Sequence, residues 1–261
     1  LATTTTAEHQ HLSLWDGRTG ELIREVPVGT GVSIWRLYFS PDGRHLAWSS
    51  HRNAAPAIHV WDVQEQREVW HFADHKEFIH HMAFSPDGLL LASCGLDRSI
   101  RVRNIATGAE VAHFKGHDST VLELKFGPSG SQLVSRELAG TVKVWDLAAP
   151  GSQQTIDASG SVSAIAFHPQ GSHVALGQTN GCVDLWDLRT RIQRNHQAVH
   201  RTPVSAVSFT GDGNTLASAE WGGKAVLMNT STGEQQHEFV FCDGRCATVT
   251  IDSLARQLAA T

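Results

Sequence analysis

A Trp-Asp dipeptide closes a short apolar stretch four times in this chain, and its spacing constrains the fold more than any other feature. LSLWD runs to Asp16, IHVWD to Asp62, VKVWD to Asp146 and VDLWD to Asp187. Two degenerate copies, IRVRN ending at Asn104 and AVLMN ending at Asn229, fall where the same interval puts them. Successive endings step by 46, 42, 42, 41 and 42 residues. A second landmark keeps the same phase: FSPDG at 39–43 and again at 84–88, FGPSG at 126–130, FHPQG at 167–171 and FTGDG at 209–213. A decayed copy, IDSLA, stands at 251–255. A fixed period of this length means one supersecondary unit repeated along the chain.

Each unit reads as four short strands, a to d. The Pro-Asp-Gly between a and b is turn chemistry, because Pro presets φ and Gly accepts the positive φ that closes a hairpin. Ala-Thr-Gly at 106–108 and Ser-Thr-Gly at 231–233 do the same between c and d. Strands a to c are rich in Val, Ile, Leu and Phe on both faces, which suits sheets packed between neighbours. No stretch of a dozen residues has a helical period. The class is all-β.

The spacing, the Trp-Asp endings and the Gly-His at Gly116 and His117 resemble the WD-repeat (WD40) family over nearly the whole chain. That resemblance implies a β-propeller, with four-stranded antiparallel blades set radially around a central channel. Five blades are expected complete. Two terminal units are expected partial, since the first begins in strand b at 1–4 and the last stops in strand b at 257–261. The whole of 1–261 is read as one propeller domain, a piece of a longer chain whose ring has seven blades or belongs to a tandem array; the alternative is a six-bladed ring closed by pairing the two ends, which would leave one strand b redundant.

The family pattern also implies a hydrogen-bonded tetrad in each unit: a loop His, a strand-b Ser or Thr, a turn Asp and the strand-c Trp. Such a network satisfies buried polar groups and ties an outer loop to inner strands. His75, Ser93 and Asp97 match three members in the third unit, where Arg103 replaces the Trp. His117, Ser135 and Trp145 match in the fourth, with Ala139 at the Asp position, and His200 and Ser218 match in the sixth. On this reading no unit keeps all four. A hydrolytic triad from His75, Ser93 and Asp97 is the competing reading. The structural role is preferred, and no catalytic residue is assigned.

Composition narrows the function classes. The net charge is −5, so the basic face that DNA or RNA binding needs is missing, and Arg189, Arg191, Arg194 and Arg201 read as a solvated loop. The four cysteines (Cys94, Cys182, Cys242 and Cys246) have no disulfide or zinc spacing and read as reduced thiols of a cytoplasmic protein. Sixteen histidines are scattered without a metal motif, although His9 and His11 would share one strand face. No run approaches the roughly 20 apolar residues of a membrane helix. No signal peptide is visible, but a chain opening on Leu1 leaves an upstream segment possible. No cofactor is expected.

The resemblance puts one set of residues on the top face, around the channel mouth. They flank the first apolar residue of strand a or precede the turn Asp: Trp35, Phe78, His80, Leu122, Leu138 and Trp221, with Ser163, Thr179 and Ser205 equivalent in the fifth and sixth units. Large apolar groups gathered on one face are costly to expose without purpose, and Trp is favoured at hot spots. The alternative is that Trp35 and Leu122 turn inward as core. The second unit has a b–c loop, 49–57, about three residues longer than its counterparts, and lengthened loops on rigid scaffolds commonly carry binding. The expectation is a protein-interaction scaffold or sensor that binds a peptide or protein partner on the top face, without nucleic acid or membrane, joined to other domains of its parent chain. The alternatives are a non-catalytic propeller of a larger enzyme, gating or presenting substrate to a kinase, nucleotide-switch or protease domain, and a purely structural module.

Overall fold

A computed structural model describes residues 2–4, 12–28, 33–52, 55–149, 151–156, 158, 160–241, 249–251 and 258–260. Every regular element among them is a β-strand. The first sheet has three strands: β1 (Ala2–Thr4), β2 (Leu12–Trp15) and β3 (Leu22–Val26). Five four-stranded sheets follow. The second holds β4 (Ser33–Phe39), β5 (His45–Arg52), β6 (Ala55–Asp62) and β7 (Arg67–Phe72). The third holds β8 (Ile79–Phe84), β9 (Leu90–Gly95), β10 (Ile100–Asn104) and β11 (Glu110–Phe114). The fourth holds β12 (Val121–Phe126), β13 (Gln132–Glu137), β14 (Val142–Asp146) and β15 (Gln153–Ile156). The fifth holds β16 (Val162–Phe167), β17 (His173–Gln178), β18 (Cys182–Asp187) and β19 (Ile192–Ala198). The sixth holds β20 (Val204–Phe209), β21 (Thr215–Glu220), β22 (Lys224–Asn229) and β23 (Gln235–Val240). A last pair, β24 (Val249–Ile251) and β25 (Leu258–Ala260), begins another unit. Each sheet is a strict antiparallel meander. The five complete units and two partial ones of the sequence reading are therefore observed.

The first turn of the second, third and sixth units is fixed by the residues that mark the repeat. In the second unit Ser40 Oγ donates to Asp42 Oδ1 at 2.5 Å and accepts from His45 N–H at 2.8 Å, while Gly43 takes φ of +71°. The third unit repeats this with Ser85, Asp87 and Gly88, and the sixth with Thr210, Asp212 and Gly213. The hydroxyl, the carboxylate and the glycine close one turn together.

Strand alternation distributes the core. Leu133 and Trp145 pack back onto the third sheet with Ala92, Val102 and Phe114. Their neighbours Val134 and Val144 pack forward onto the fifth with Ile165 and Leu176. A middle strand buried on both faces reads as a continuous apolar run, which is why the b strands do. Consecutive sheets are joined in this way from the first to the sixth. The first strands of successive sheets touch, β4 with β8, β8 with β12, β12 with β16, β16 with β20 and β20 with β24.

Two features depart from plain alternation. Every complete unit carries a β-bulge near the start of its first strand, where the register to the second strand skips one residue. The skipped residues are Trp35, His80, Leu122, Ser163 and Ser205. A bulge bends its strand and re-aims the extra side chain. The second feature corrects the sequence reading of 49–57. These residues do not form a long loop, because β5 and β6 continue pairing out to Arg52 opposite Ala55. The additional residues lengthen a hairpin instead, and both its strands have eight residues where the b and c strands of the other complete units have five or six.

Candidate binding surface

The polar networks come first, because they decide what the buried histidines do. His117 Nδ1 lies 3.0 Å from Glu137 Oε2, and its Nε2 lies 2.7 Å from Ser135 Oγ. Trp145 Nε1 donates to the same Ser135 Oγ at 2.8 Å. A carboxylate only accepts and an indole N–H only donates, so one proton arrangement fits a neutral ring. Trp145 donates to Ser135, Ser135 donates to His117 Nε2, and His117 Nδ1–H donates to Glu137. Burial keeps the imidazole below its ordinary pKa. Burial also pushes the Glu137 carboxyl up, but the Ser119 N–H and the His117 ring outweigh it and hold the group below its usual value.

Two sequence expectations are corrected here. The carboxylate of the fourth unit is Glu137, not a residue at the position of Ala139, and the unit has all four members. Glu137 stands two residues after Ser135, where Asp97 stands four after Ser93, and its longer side chain covers the difference. The sixth unit uses the same substitution: Glu220 follows Ser218 by two residues and accepts from the N–H groups of Arg201 and Thr202 at 2.7 and 2.9 Å. His200 Nε2 meets Ser218 Oγ at 2.7 Å, whereas its Nδ1 is 3.8 Å from Glu220. The signal that finds these groups is Ser-x-Glu at the end of strand b.

In the third unit His75 Nδ1 contacts Asp97 Oδ2 at 2.8 Å and Nε2 contacts Ser93 Oγ at 2.8 Å. The connectivity is that of an acid–base–nucleophile relay. However, Ser93 and His75 are only 3 and 4 % exposed, so the hydroxyl is closed to solvent. The same relay recurs at His117, as a structural element repeated with the unit would. Hydrogen bonds of buried polar groups explain it fully.

The surface residues form one cluster and several separate sites. Trp35 is 53 % exposed, and its ring meets Phe78 edge-on at 5.2 Å. Phe78 lies 5.1 Å from His80 and stacks flat on His51 at 4.0 Å, with 1° between the planes. His51 is carried there by the lengthened β5–β6 hairpin, and sequence reasoning did not single it out. Burial lowers the pKa of His51, with His80 adding to the effect; burial and Arg36 lower that of His80. Both rings are thus held toward the neutral form. The patch joins the second and third units. Leu122 occupies the bulge position of the next inner strand and is half-buried, so the structure does not place it or Trp35 in the core. Leu138 is 66 % exposed on the β13–β14 turn. Trp221, 48 % exposed, stands on the β21–β22 turn of the sixth unit.

On the fifth and sixth units the bulge residues are serines that turn to the backbone. Ser163 donates to Gly177 O at 3.1 Å and Val204 O at 2.6 Å, and Ser205 to Ala219 O at 3.2 Å. The large bulge side chains are confined to the second, third and fourth units. Beneath them lies a charged cluster on the inner strands. Arg136 Nε donates to Glu123 at 2.8 Å, and Lys125 Nζ lies 3.5 Å from the same carboxylate. Burial brings His81 down to a pKa of about 4. No group of three or more His, Cys, Asp or Glu residues suits a metal among the described residues. Cys94 and Cys182 are buried free thiols. Cys242, Cys246, His9 and His11 lie outside the described residues. No described helix is long and apolar enough to cross a membrane.

The WD domain, G-beta repeat family (WD40) matches residues 66–104, 108–146, 151–187 and 192–227, more than half of the chain. The protein belongs to the WD40 family. Among curated relatives, it is similar to WD repeat-containing protein SL1-17 of Schistosoma mansoni, with 29 % identity over 42 % of this chain and 35 % of that protein. It is 31 % identical to human WD repeat-containing protein 36 over 41 % of this chain and 11 % of the relative. Human striatin is 29 % identical over 38 % of this chain and 13 % of its own length. The matched part therefore spans about a third or less of each of these relatives.

Proposed function

We propose that this WD40 chain is a protein-interaction module whose contact surface is the aromatic patch of Trp35, His51, Phe78 and His80, continued by Leu122. The observation that carries the reading is the repeated bulge, filled by Trp35, His80 and Leu122 on three neighbouring units and by backbone-bound serines on the next two. One fold position is small and closed on the backbone in two units and large in the other three. Rigid aromatic groups bury much area with little loss of side-chain entropy, which suits a peptide or protein loop as ligand. Trp221 and Leu138 supply outlying contacts at the ends of turns. The working location is the cytoplasm, in keeping with the buried free thiols Cys94 and Cys182. The module serves as a scaffold or sensor within a larger chain.

The test places a photo-crosslinking phenylalanine analogue at position 35 and recovers adducts from the native host, beside a Trp35→Ala variant. The expected result is a defined protein adduct and loss of that partner on Trp35→Ala, with the melting temperature nearly unchanged. Undiminished partner recovery by Trp35→Ala would sink the reading.

A further inference from the structure

The opposite end of the sheets carries a cleft of its own. Trp35 lies at the start of β4, whereas the turn after that strand opens onto a cavity of about 600 Å³ between the second and third units. That size is in the range of ligand-binding clefts. Its walls come from four turns: Asp42 and Arg44, then Asp62, Glu65 and Arg67, then Asp87 and Leu89, then Ile105 and Ala106. Val69 and Trp70 of β7 also line it. Trp70 is locked in place, since its Nε1 donates to Ile105 O at 2.6 Å and its ring fills the space that a side chain at Gly108 would need. Leu89, 56 % exposed, stands at the lip.

The charges are unbalanced in a specific way. Arg44 contacts Asp62 at 2.9 Å and Glu65 at 3.6 Å, and Arg67 contacts Glu65 at 2.6 Å, so both guanidiniums are used by two of the four carboxylates. Asp87 has no cationic neighbour among the described residues, and Asp42 feels the charge of Arg44 and His45 but forms no ion pair with either. Each uses Oδ1 for its turn, accepting from a Ser hydroxyl and a backbone N–H, which leaves Oδ2 directed to no described donor. The same hydrogen bonds lower both pKa values and keep the groups ionised. An apolar floor beneath four carboxylates and only two guanidiniums is complementary to an aliphatic side chain beside a cationic one.

We infer that the cleft between the second and third units binds an extended, basic peptide segment, in which leucine-like side chains meet Trp70 and Leu89 and a lysine or arginine meets Asp42 and Asp87. This site is independent of the Trp35 patch, and neither needs the other.

The probe is a fluorescein-labelled six-residue peptide of alternating leucine and lysine, with its leucine–glutamate counterpart as control, titrated into the whole chain by anisotropy. Saturable binding of the lysine peptide is expected, with no saturation by the glutamate peptide. Asp42→Asn together with Asp87→Asn keeps the Oδ1 acceptors of both turns and should weaken binding at least tenfold. Leu89→Lys, at an exposed position that does not threaten folding, should weaken it similarly by placing a like charge at the lip. Trp35→Ala should leave it unchanged, which separates this site from the aromatic patch. Equal affinity of the wild type and both variants, or equal binding of the two peptides, would overturn the assignment, as would failure of the lysine peptide to saturate.

Discussion

The Glu137 carboxylate lies 3.0 Å from His117 Nδ1 and, through the same Oε2, accepts the backbone N–H groups of Asp118 and Ser119 at 2.9 and 3.0 Å. One oxygen thus fixes the ring and the turn that carries it. Glu137→Ala leaves the buried His117 Nδ1–H and two partly buried backbone N–H groups without an acceptor and should cost about 2–4 kcal/mol. Glu137→Asp should cost nearly as much, because the shorter side chain falls short of the loop. Adding Ala139→Asp to Glu137→Ala places a carboxylate four residues after Ser135, the spacing of Asp97 from Ser93, and should restore part of the loss. Urea denaturation of the three variants checks this. No recovery in the double variant would show that the third-unit geometry does not transfer.

Two tryptophans thirteen residues apart in the second unit should behave oppositely. Trp48 is 2 % exposed, packs with Leu12, Leu14 and Trp61 between the first two sheets, and stacks on His59. Its replacement by Ala should cost about 3–5 kcal/mol. Trp35→Ala removes an exposed ring and should change stability by less than about 1 kcal/mol. Thermal melts of the two variants provide the comparison, and a large loss for Trp35→Ala would make Trp35 a structural residue.

The same contrast shows what the sequence made legible. Period, turn chemistry and the His–Ser pairings were readable, because each is local or repeats at fixed offsets. The bulge was not. Trp35, His80 and Leu122 look like ordinary members of an alternating strand, and only the pairing of β4, β8 and β12 with their neighbours reveals the skipped residue. Glu137 was missed for a related reason, since a longer side chain two positions early does the work of an Asp. Residues 49–57 show the limit of loop arithmetic: additional residues between two strands can extend the ladder instead of bulging from it, and that extension is what sets His51 on Phe78.

Acid should loosen the fold in a defined window. Burial lowers His81 and His200 to about 4, against an ordinary value of 6.5. The groups around His81 are Glu123, which opposes the shift, and Lys125, Arg36 and Arg136, which add to it. The unfolded chain therefore binds protons first as pH falls, and stability drops between pH 6.5 and about 4 before this contribution levels off. Above pH 6.5 neither ring contributes. Each ring accounts for at most about 3 kcal/mol, reached near pH 4. His81→Leu should flatten the slope of melting temperature against pH in that interval, and an unchanged slope would remove His81 from the account.

The aromatic patch depends on a glycine that does not belong to it. A Cβ at Gly95 would collide with the carbonyl and backbone of Phe78 and Ile79, so Gly95 sets how closely β9 approaches the residue that leads into β8. Backbone cannot yield as a flexible side chain does. Gly95→Ala should cost about 1–3 kcal/mol through overpacking and displace Phe78. The displacement has its own readout, because the His51 ring lies flat against Phe78 at 4.0 Å and the ring current of that stack should shift its proton resonances upfield. In Gly95→Ala those resonances should move downfield. Gly177→Ala supplies the control: its Cβ meets the Val204 side chain in the fifth and sixth units, so it should lower stability and leave His51 untouched. Equal shifts of the His51 resonances in both variants would mean that general loosening, not the position of Phe78, governs the stack.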